Sequence, residues 1–215
     1  MSVNREDYLK VIFELGGAKQ SVSNKAISEV LGLSPASVTE MISKMAKDNM
    51  VTYTPYRGTK LSEEGILQGA NLVRRHRLWE VFLVEHLDYS WNEVHDDAEV
   101  LEHVTSEQLA DHLEDYLNHP MHCPHGGIIP KKEQVVHEER RQTLESYPVG
   151  SKVRIARVLD EKELLDYLVT IDLNIDEEYE IVDVAAYEGP ITIQNQQKKI
   201  PVSFKAASTI FVDKL

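Results

Sequence analysis

Apolar residues fall at helical spacing near the N-terminus, switch to strand spacing around residue 50, and return to helical spacing beyond it. Tyr8, Leu9, Ile12 and Leu15 form a stripe that Gly16-Gly17 ends, which predicts a first helix. Ser23 is placed to cap a second helix, with Ala26, Ile27, Val30 and Leu31 on one face and Gly32 at its end. After a short turn, Ser34 can cap a third helix with Pro35 at its first position; Val38, Met41, Ile42 and Met45 mark its buried stripe. Its opposite face carries Ala36, Ser37, Thr39, Glu40, Ser43, Lys44 and Lys47. Residues 51–54 and 59–61 then read as strands joined by Pro55-Tyr56-Arg57-Gly58, a small hairpin. Helix, turn, helix and hairpin predict a winged helix-turn-helix, because a short Gly-containing turn before a Ser/Thr/Lys-faced helix is what entry into a DNA groove requires.

The middle of the chain is helical in texture. Residues 62–87 predict one long amphipathic helix with Ile66, Leu67, Val73, Leu78, Val81 and Phe82 as core or dimer-seam positions. Helices over 91–104 and 106–118 precede a Pro/His/Gly-rich loop at 119–130, and a charged helix is expected at 131–146. Beyond Pro148 the runs 152–159, 179–184, 191–193 and 209–212 are alternating or β-branched, which predicts a small SH3-like β-barrel. The fold class is therefore mainly α with a small β part, divided as a DNA-binding domain at 1–62, a helical dimerisation and metal-binding domain at 63–147, and an SH3-like domain at 148–215.

Charge sharpens this division. The net charge of −13 argues against DNA binding until it is split: residues 1–62 hold 8 basic against 6 acidic residues, 63–147 hold 7 against 18, and 148–215 hold 8 against 12. Only the first segment can approach phosphates, while self-repulsion in the second invites cations. With 215 residues, 42% of them apolar, the chain has material for ordinary globular cores. It shows no charged leader and no apolar run near the roughly 20 residues a membrane span needs, so a cytoplasmic protein without a membrane partner is expected. The single cysteine, Cys123, cannot form an internal disulfide, which fits a reducing compartment.

All nine histidines and Cys123 lie between His76 and His137. His95, Glu99, Glu102 and His103 stand at i, i+4, i+7 and i+8, which projects them from one helix face. Imidazole and carboxylate together suit a divalent ion such as manganese, iron or zinc. His76 and Glu80 repeat the i, i+4 spacing on the long helix, and Cys123 and His125 form a Cys-x-His pair in the loop Met121-His122-Cys123-Pro124-His125-Gly126.

Across its whole length the chain resembles the diphtheria toxin repressor family of metalloregulators, in the three-part form with a C-terminal SH3-like domain. The resemblance rests on Tyr8-Leu9, Gly32-Leu33-Ser34, His76-Arg77-Leu78 through Glu80, Val94-His95-Asp96 through Glu102-His103, and Cys123-Pro124-His125-Gly126. It implies a homodimeric repressor that binds palindromic double-stranded operator DNA with metal as co-repressor and controls metal homeostasis, with no enzymatic activity and no small-molecule substrate. Iron-type members carry Met just before the Tyr-Leu pair and Cys four residues after the second helix's His; this chain has Asp7 and Glu99 there, as manganese-type members do. Oxygen donors in place of sulfur favour Mn2+. Fe2+ is the alternative, and Zn2+ or Cd2+ can substitute.

By the same resemblance, one metal site is Asp7, Glu99, Glu102 and His103. The other is Glu80, Cys123 and His125 with a carboxylate from the C-terminal domain, Asp160 ahead of Glu163, while His76 and His95 are ligands in some members. On DNA, Ser37 and Thr39 are expected at base edges, Pro35 and Ala36 against thymine methyls, and Ser43, Lys44, Lys47, Arg57 and Lys60 along the interface, the basic ones on phosphates. A metal-dependent hydrolase could use the same His/Glu cluster, but the chain has no His-Glu-x-x-His motif or nucleophile elbow, and that reading leaves the helix-turn-helix unexplained.

Overall fold

The computed structural model describes residues 5–132 and 141–215. Three helices, α1 (Arg5–Glu14), α2 (Asn24–Leu31) and α3 (Pro35–Lys47), lead into the hairpin β1 (Val51–Thr54) and β2 (Gly58–Leu61). Local chemistry sets their ends. The Ser23 and Ser34 hydroxyls accept from the Ala26 and Ser37 amides, and Gly32 closes α2 in the left-handed region at φ 64°. The strands pair antiparallel from Val51 with Leu61 to Thr54 with Gly58. Gly58 is required there, because a Cβ would meet the Val22 carbonyl oxygen at 2.4 Å where residues 22 and 59 bridge. Tyr8, Leu9, Ile12, Ile27, Val38, Ile42 and Met45 form the core beneath; truncating Ile27 or Ile42 to Ala costs about 2–5 kcal/mol. Val30, on the same face as Ile27 by helical spacing, is 58% exposed, since the eight-residue α2 buries only a narrow stripe around Ile27.

Helix α4 (Glu63–Leu87) is capped by the Ser62 hydroxyl, which accepts from the Gly65 amide at 3.0 Å. Gly69 lets α1 lie tight against it: a Cβ there would sit 3.0 Å from the Leu9 carbonyl oxygen and 3.1 Å from the Phe13 Cβ. Helix α5 (His95–Val104) starts later than the pattern at 91–104 suggested, because residues 91–93 form a turn, and Asp96 and Asp97 then complement its N-terminal dipole. Helix α6 (Glu107–Tyr116) follows.

The remaining chain builds one antiparallel sheet around α7 (Lys162–Thr170) and the short α8 (Phe204–Ala207). Its strands are β3 (Gln142–Thr143), β4 (Lys152–Val158), β5 (Glu178–Val184), β6 (Ile191–Gln194), β7 (Lys199–Val202) and β8 (Ile210–Lys214), in the order β3-β8-β4-β5-β6-β7. Leu144, Val153, Ile155, Leu165, Leu168, Leu173, Ile181, Ile193 and Ile210 fill its core. Two expectations change here. Among the described residues β3 and β7 remain edges, so the SH3-like part is an open sheet rather than a closed barrel. Half of the helix expected at 131–146, residues 133–140 with His137, lies outside the described residues; its end, Gln142–Thr143, pairs with β8, and Leu144–Ser146 makes a 3-10 turn. Fully buried Leu144 draws that segment into the β layer. Helix α7 escaped the strand-like reading because it is short and its N-cap residue, Glu161, makes no side-chain capping bond.

The residues group into two compact units. One is built from the chain up to His76 together with Leu101–Glu107, the other from Arg77–Val100, Gln108–Ile129 and the C-terminal sheet.

Candidate functional site

In the first unit, the close packing of α1 places Asp7 beside the last turn of α5. His103 Nε2 lies 3.0 Å from Asp7 Oδ1 and 3.7 Å from Glu102 Oε1. Asp7, Glu102 and His103 offer ligand atoms within 4.8 Å of one another. On the other side of its ring, His103 Nδ1 donates to Glu6 Oε2 at 2.6 Å, which turns Nε2 towards Asp7 and Glu102. Burial works against the imidazolium, but the Glu6 hydrogen bond and the charges of Glu102, Asp7 and Glu6 raise the His103 pKa above its ordinary value. Glu99 stands one turn before His103 on α5 and so shares its face.

Glu102 is the most deeply set of these groups, at 0% exposure. Its Oε2 accepts from Lys10 Nζ at 2.8 Å and lies 2.5 Å from His76 Nδ1, which is itself 3.0 Å from Lys10 Nζ. Its other oxygen, Oε1, is buried without a hydrogen bond. A carboxylate oxygen sealed from water and left open towards an imidazole and a second carboxylate fits a divalent cation. Glu6 and Lys10 were not read as part of this cluster. The available signal was a lysine inside the apolar run Tyr8-Leu9-Lys10-Val11-Ile12, where an unpartnered charge would be costly.

In the second unit, Glu80 of α4, Cys123 and His125 are all buried and offer ligand atoms within 4.8 Å of one another; Glu80, His95 and Asp160 do the same. Backbone hydrogen bonds shape the 119–130 loop that carries Cys123 and His125. The Gly126 amide donates to the Cys123 carbonyl and the Cys123 amide to the Gly127 carbonyl, both at 2.9 Å. Gly126, at φ 81°, lies so close to β4 that a Cβ would meet the Ala156 carbonyl oxygen at 2.1 Å. The Val158 amide donates to the His125 carbonyl at 3.0 Å, which holds the loop beside the end of β4, two residues before Asp160.

His125 Nε2 donates to the Trp91 carbonyl at 2.7 Å, so Nδ1 faces Glu80 Oε1 at 3.0 Å and Asp160 Oδ1 at 3.8 Å. Burial disfavours its charge, yet the Glu80 charge, hydrogen bonds with Cys123 and Glu80, and the Asp160 charge push the His125 pKa up to about 11. Burial, then the Glu80 charge, raises the Cys123 thiol. Asp160 Oδ2 lies 2.5 Å from His95 Nδ1, whereas Glu163 is exposed on α7 and absent from these clusters of described residues. His95 therefore does not join Glu102 and His103 as the four-residue face suggested. Eight residues of helix separate it from His103 by about 12 Å along the axis, too far for one ion.

Pro35, Ala36, Ser37, Thr39, Ser43, Lys44 and Lys47 are exposed on α3, and Arg57 and Lys60 are exposed on the hairpin. The Thr39 and Ser43 hydroxyls donate to the Pro35 and Thr39 carbonyls four residues back, at 2.8 and 2.7 Å, and Lys44 pairs with Glu40 at 2.7 Å. Tyr56, at the hairpin tip, is fully exposed. No helix among the described residues is long and apolar enough to cross a membrane.

Comparison with known proteins identifies the family. Residues 1–59 match the family described as iron dependent repressor, N-terminal DNA binding domain; residues 62–131 match iron dependent repressor, metal binding and dimerisation domain; residues 142–214 match the FeoA domain. The HTH-type transcriptional regulator MntR of Oceanobacillus iheyensis is 38% identical over 114 residues, which cover 53% of this chain and 77% of that protein. The diphtheria toxin repressor of Corynebacterium diphtheriae is 26% identical over 98% of this chain and 96% of its own length. A solved manganese-dependent transcriptional repressor in complex with manganese superposes with a TM-score of 0.89 at 32% identity, covering 99% of this chain and 100% of that one. The chain thus belongs to the diphtheria toxin repressor family of iron-dependent repressors, and is a metal-dependent transcriptional repressor rather than an enzyme.

Proposed function

We propose that this protein is a cytoplasmic, homodimeric, manganese-activated repressor that grips a palindromic operator when divalent ions are held by Asp7, Glu99, Glu102 and His103 and by Glu80, Cys123, His125 and Asp160. The observation that carries the reading is the meeting of Asp7, from the first helix of the winged helix-turn-helix, with Glu102 and His103 of α5. The three-part division at 62 and 147 goes with it: a domain that touches DNA, one that pairs and binds metal, and one that closes the second centre through Asp160.

A bound ion would supply positive charge between carboxylates that otherwise repel one another. Glu6 holds the His103 ring so that Nε2 is presented, and Trp91 does the same for His125 Nδ1. Asp7, once engaged, fixes the orientation of α1 and, through the shared core, of α3. The two recognition helices of a dimer then match successive major grooves, about 34 Å apart. Ser37 and Thr39 are offered to base edges and Lys44, Lys47, Arg57 and Lys60 to phosphates. The oxygen-rich first centre and the manganese-dependent relative favour Mn2+ over Fe2+. Mn2+ titration of binding to a palindromic duplex at fixed salt, beside a scrambled duplex of equal length, tests this. Indifference to either the metal or the palindrome would overturn it.

Two predictions concern the second centre. Asp160→Ala is expected to lower metal affinity there by roughly 10- to 100-fold while Asp7, Glu102 and His103 keep their ion; Glu163→Ala is expected to change nothing. Calorimetric titration of both variants separates these outcomes. The second prediction follows from His125. Because its raised pKa keeps the imidazole protonated below about 11, an ion must displace that proton, so affinity at this centre rises with pH through the neutral range. Titration enthalpies in buffers of different ionisation enthalpy should report net proton release; none released would contradict the assignment of His125 as a ligand.

A further inference from the structure

We propose that the Lys10 ammonium is a tethered cation that fills the second cation position beside Glu102, so that the Asp7-Glu102-His103 centre takes one divalent ion and not two. This rests on reading that cluster as a metal centre. The two oxygens of Glu102 face different surroundings. Oε1, without a hydrogen bond, lies on the side of His103 Nε2 and Asp7. Oε2 lies 2.8 Å from Lys10 Nζ and 2.5 Å from His76 Nδ1.

His76 Nδ1 is hydrogen-bonded to Oε2; without the shared proton, an imidazole nitrogen and a carboxylate oxygen this close would be a donor pair for a metal, and a carboxylate with both oxygens so furnished is the bridge on which two-ion sites are built, with ions about 3.5–4 Å apart. Here a lysine nitrogen stands within hydrogen-bond reach of both donors, 3.0 Å from the imidazole as well. The side chain is 8% exposed, so water screens its charge little. A protonated amine has no lone pair to offer a metal, and its charge repels one. The position is therefore filled by a covalently held charge of one, and only the Oε1 side remains for an exchangeable ion. Lys10 reaches this position because it follows Asp7 by three residues on α1 and projects from the same face.

The test uses the full-length protein and Mn2+ alone as the probe, with uptake measured by equilibrium dialysis and the spin state by low-temperature electron paramagnetic resonance. Wild type is expected to lose one Mn2+ per chain in Asp7→Ala, and Lys10→Gln to gain one over wild type. The gained ion should appear as a spin-coupled Mn2+ pair that is absent from wild type and from the charge-conserving Lys10→Arg. If Lys10→Gln binds the wild-type number without a coupled signal, the proposal is overturned while the metal centre stands. If Asp7→Ala keeps every ion, the metal centre itself is wrong and the proposal falls with it. Should Lys10→Gln not fold, the wild-type spectrum at saturating Mn2+ decides: a coupled pair overturns the proposal, and isolated ions uphold it.

Discussion

Chelating divalent metal is expected to weaken operator binding by on the order of 100-fold at fixed salt, near the upper end of ordinary coupling between two sites. The effect is large because two of the groups, Asp7 and Glu102, are carboxylates held close to His103 and largely away from water. Two carboxylates about 4 Å apart repel by about 4 kcal/mol at the effective dielectric of a partly shielded site, and an ion between them reverses the sign. Asp7 belongs to the DNA-binding domain, so that reversal acts directly on how the domain is held. Linkage also requires operator DNA to tighten metal binding by the same factor, which gives the measurement an internal check. Fluorescence anisotropy with labelled operator in micromolar Mn2+ and in chelator reads the first quantity, and metal titration of the DNA complex reads the second. Salt must be held constant, since phosphate contacts alone change affinity steeply with ionic strength. Equal affinity in both solutions would sink the metal-dependent reading.

Replacing Asp7 by Met together with Glu99 by Cys should move the metal ranking from Mn2+ towards Fe2+, with roughly 10- to 100-fold lost in Mn2+ affinity at the first centre. Both changes put sulfur where oxygen stands, and sulfur donors bind the later, softer metals of the row in preference to manganese. Glu102 and His103 remain in the double variant, so an ion still has a carboxylate and an imidazole to bind. The geometry that makes Asp7 decisive is its 3.0 Å approach to His103 Nε2. Competition titrations with Mn2+, Fe2+ and Zn2+, followed by operator binding, measure the shift. An unchanged ranking would mean that positions 7 and 99 do not ligate.

The helix-turn-helix and its wing were readable residue by residue, because their signals are local. Ser23, Gly32, Ser34 and Pro35 act on the backbone within a turn of themselves, and the structure places all four at the ends of α2 and α3. The candidate donor groups were readable for the same reason: Glu99, Glu102 and His103 share a face by helical period alone, and Cys123 and His125 are two residues apart. The edges of the β part were less legible. A barrel needs its first and last strands to pair, and no local pattern reports whether β3 and β7 meet. Helix α7 is stabilised by packing Leu164, Leu165 and Leu168 into the sheet core rather than by a cap, so its short run carried little local signal.

What the sequence determined by itself, then, is the kind of chemistry on offer and the elements that carry it: a third helix with a Ser/Thr/Lys face, and an acidic, histidine-rich middle. Tertiary packing alone decided which of those groups work together. His95 looked like a neighbour of His103 and instead meets Asp160, 65 residues away, while Lys10 bonds Glu102 across 92 residues. The physical reason is that helical period aligns side chains on a face but rises 1.5 Å with each residue, so sharing a face does not mean sharing an ion. Only the close packing of α1 on α4 at Gly69, and of the Gly126 loop on β4, brings distant donors within a metal's reach.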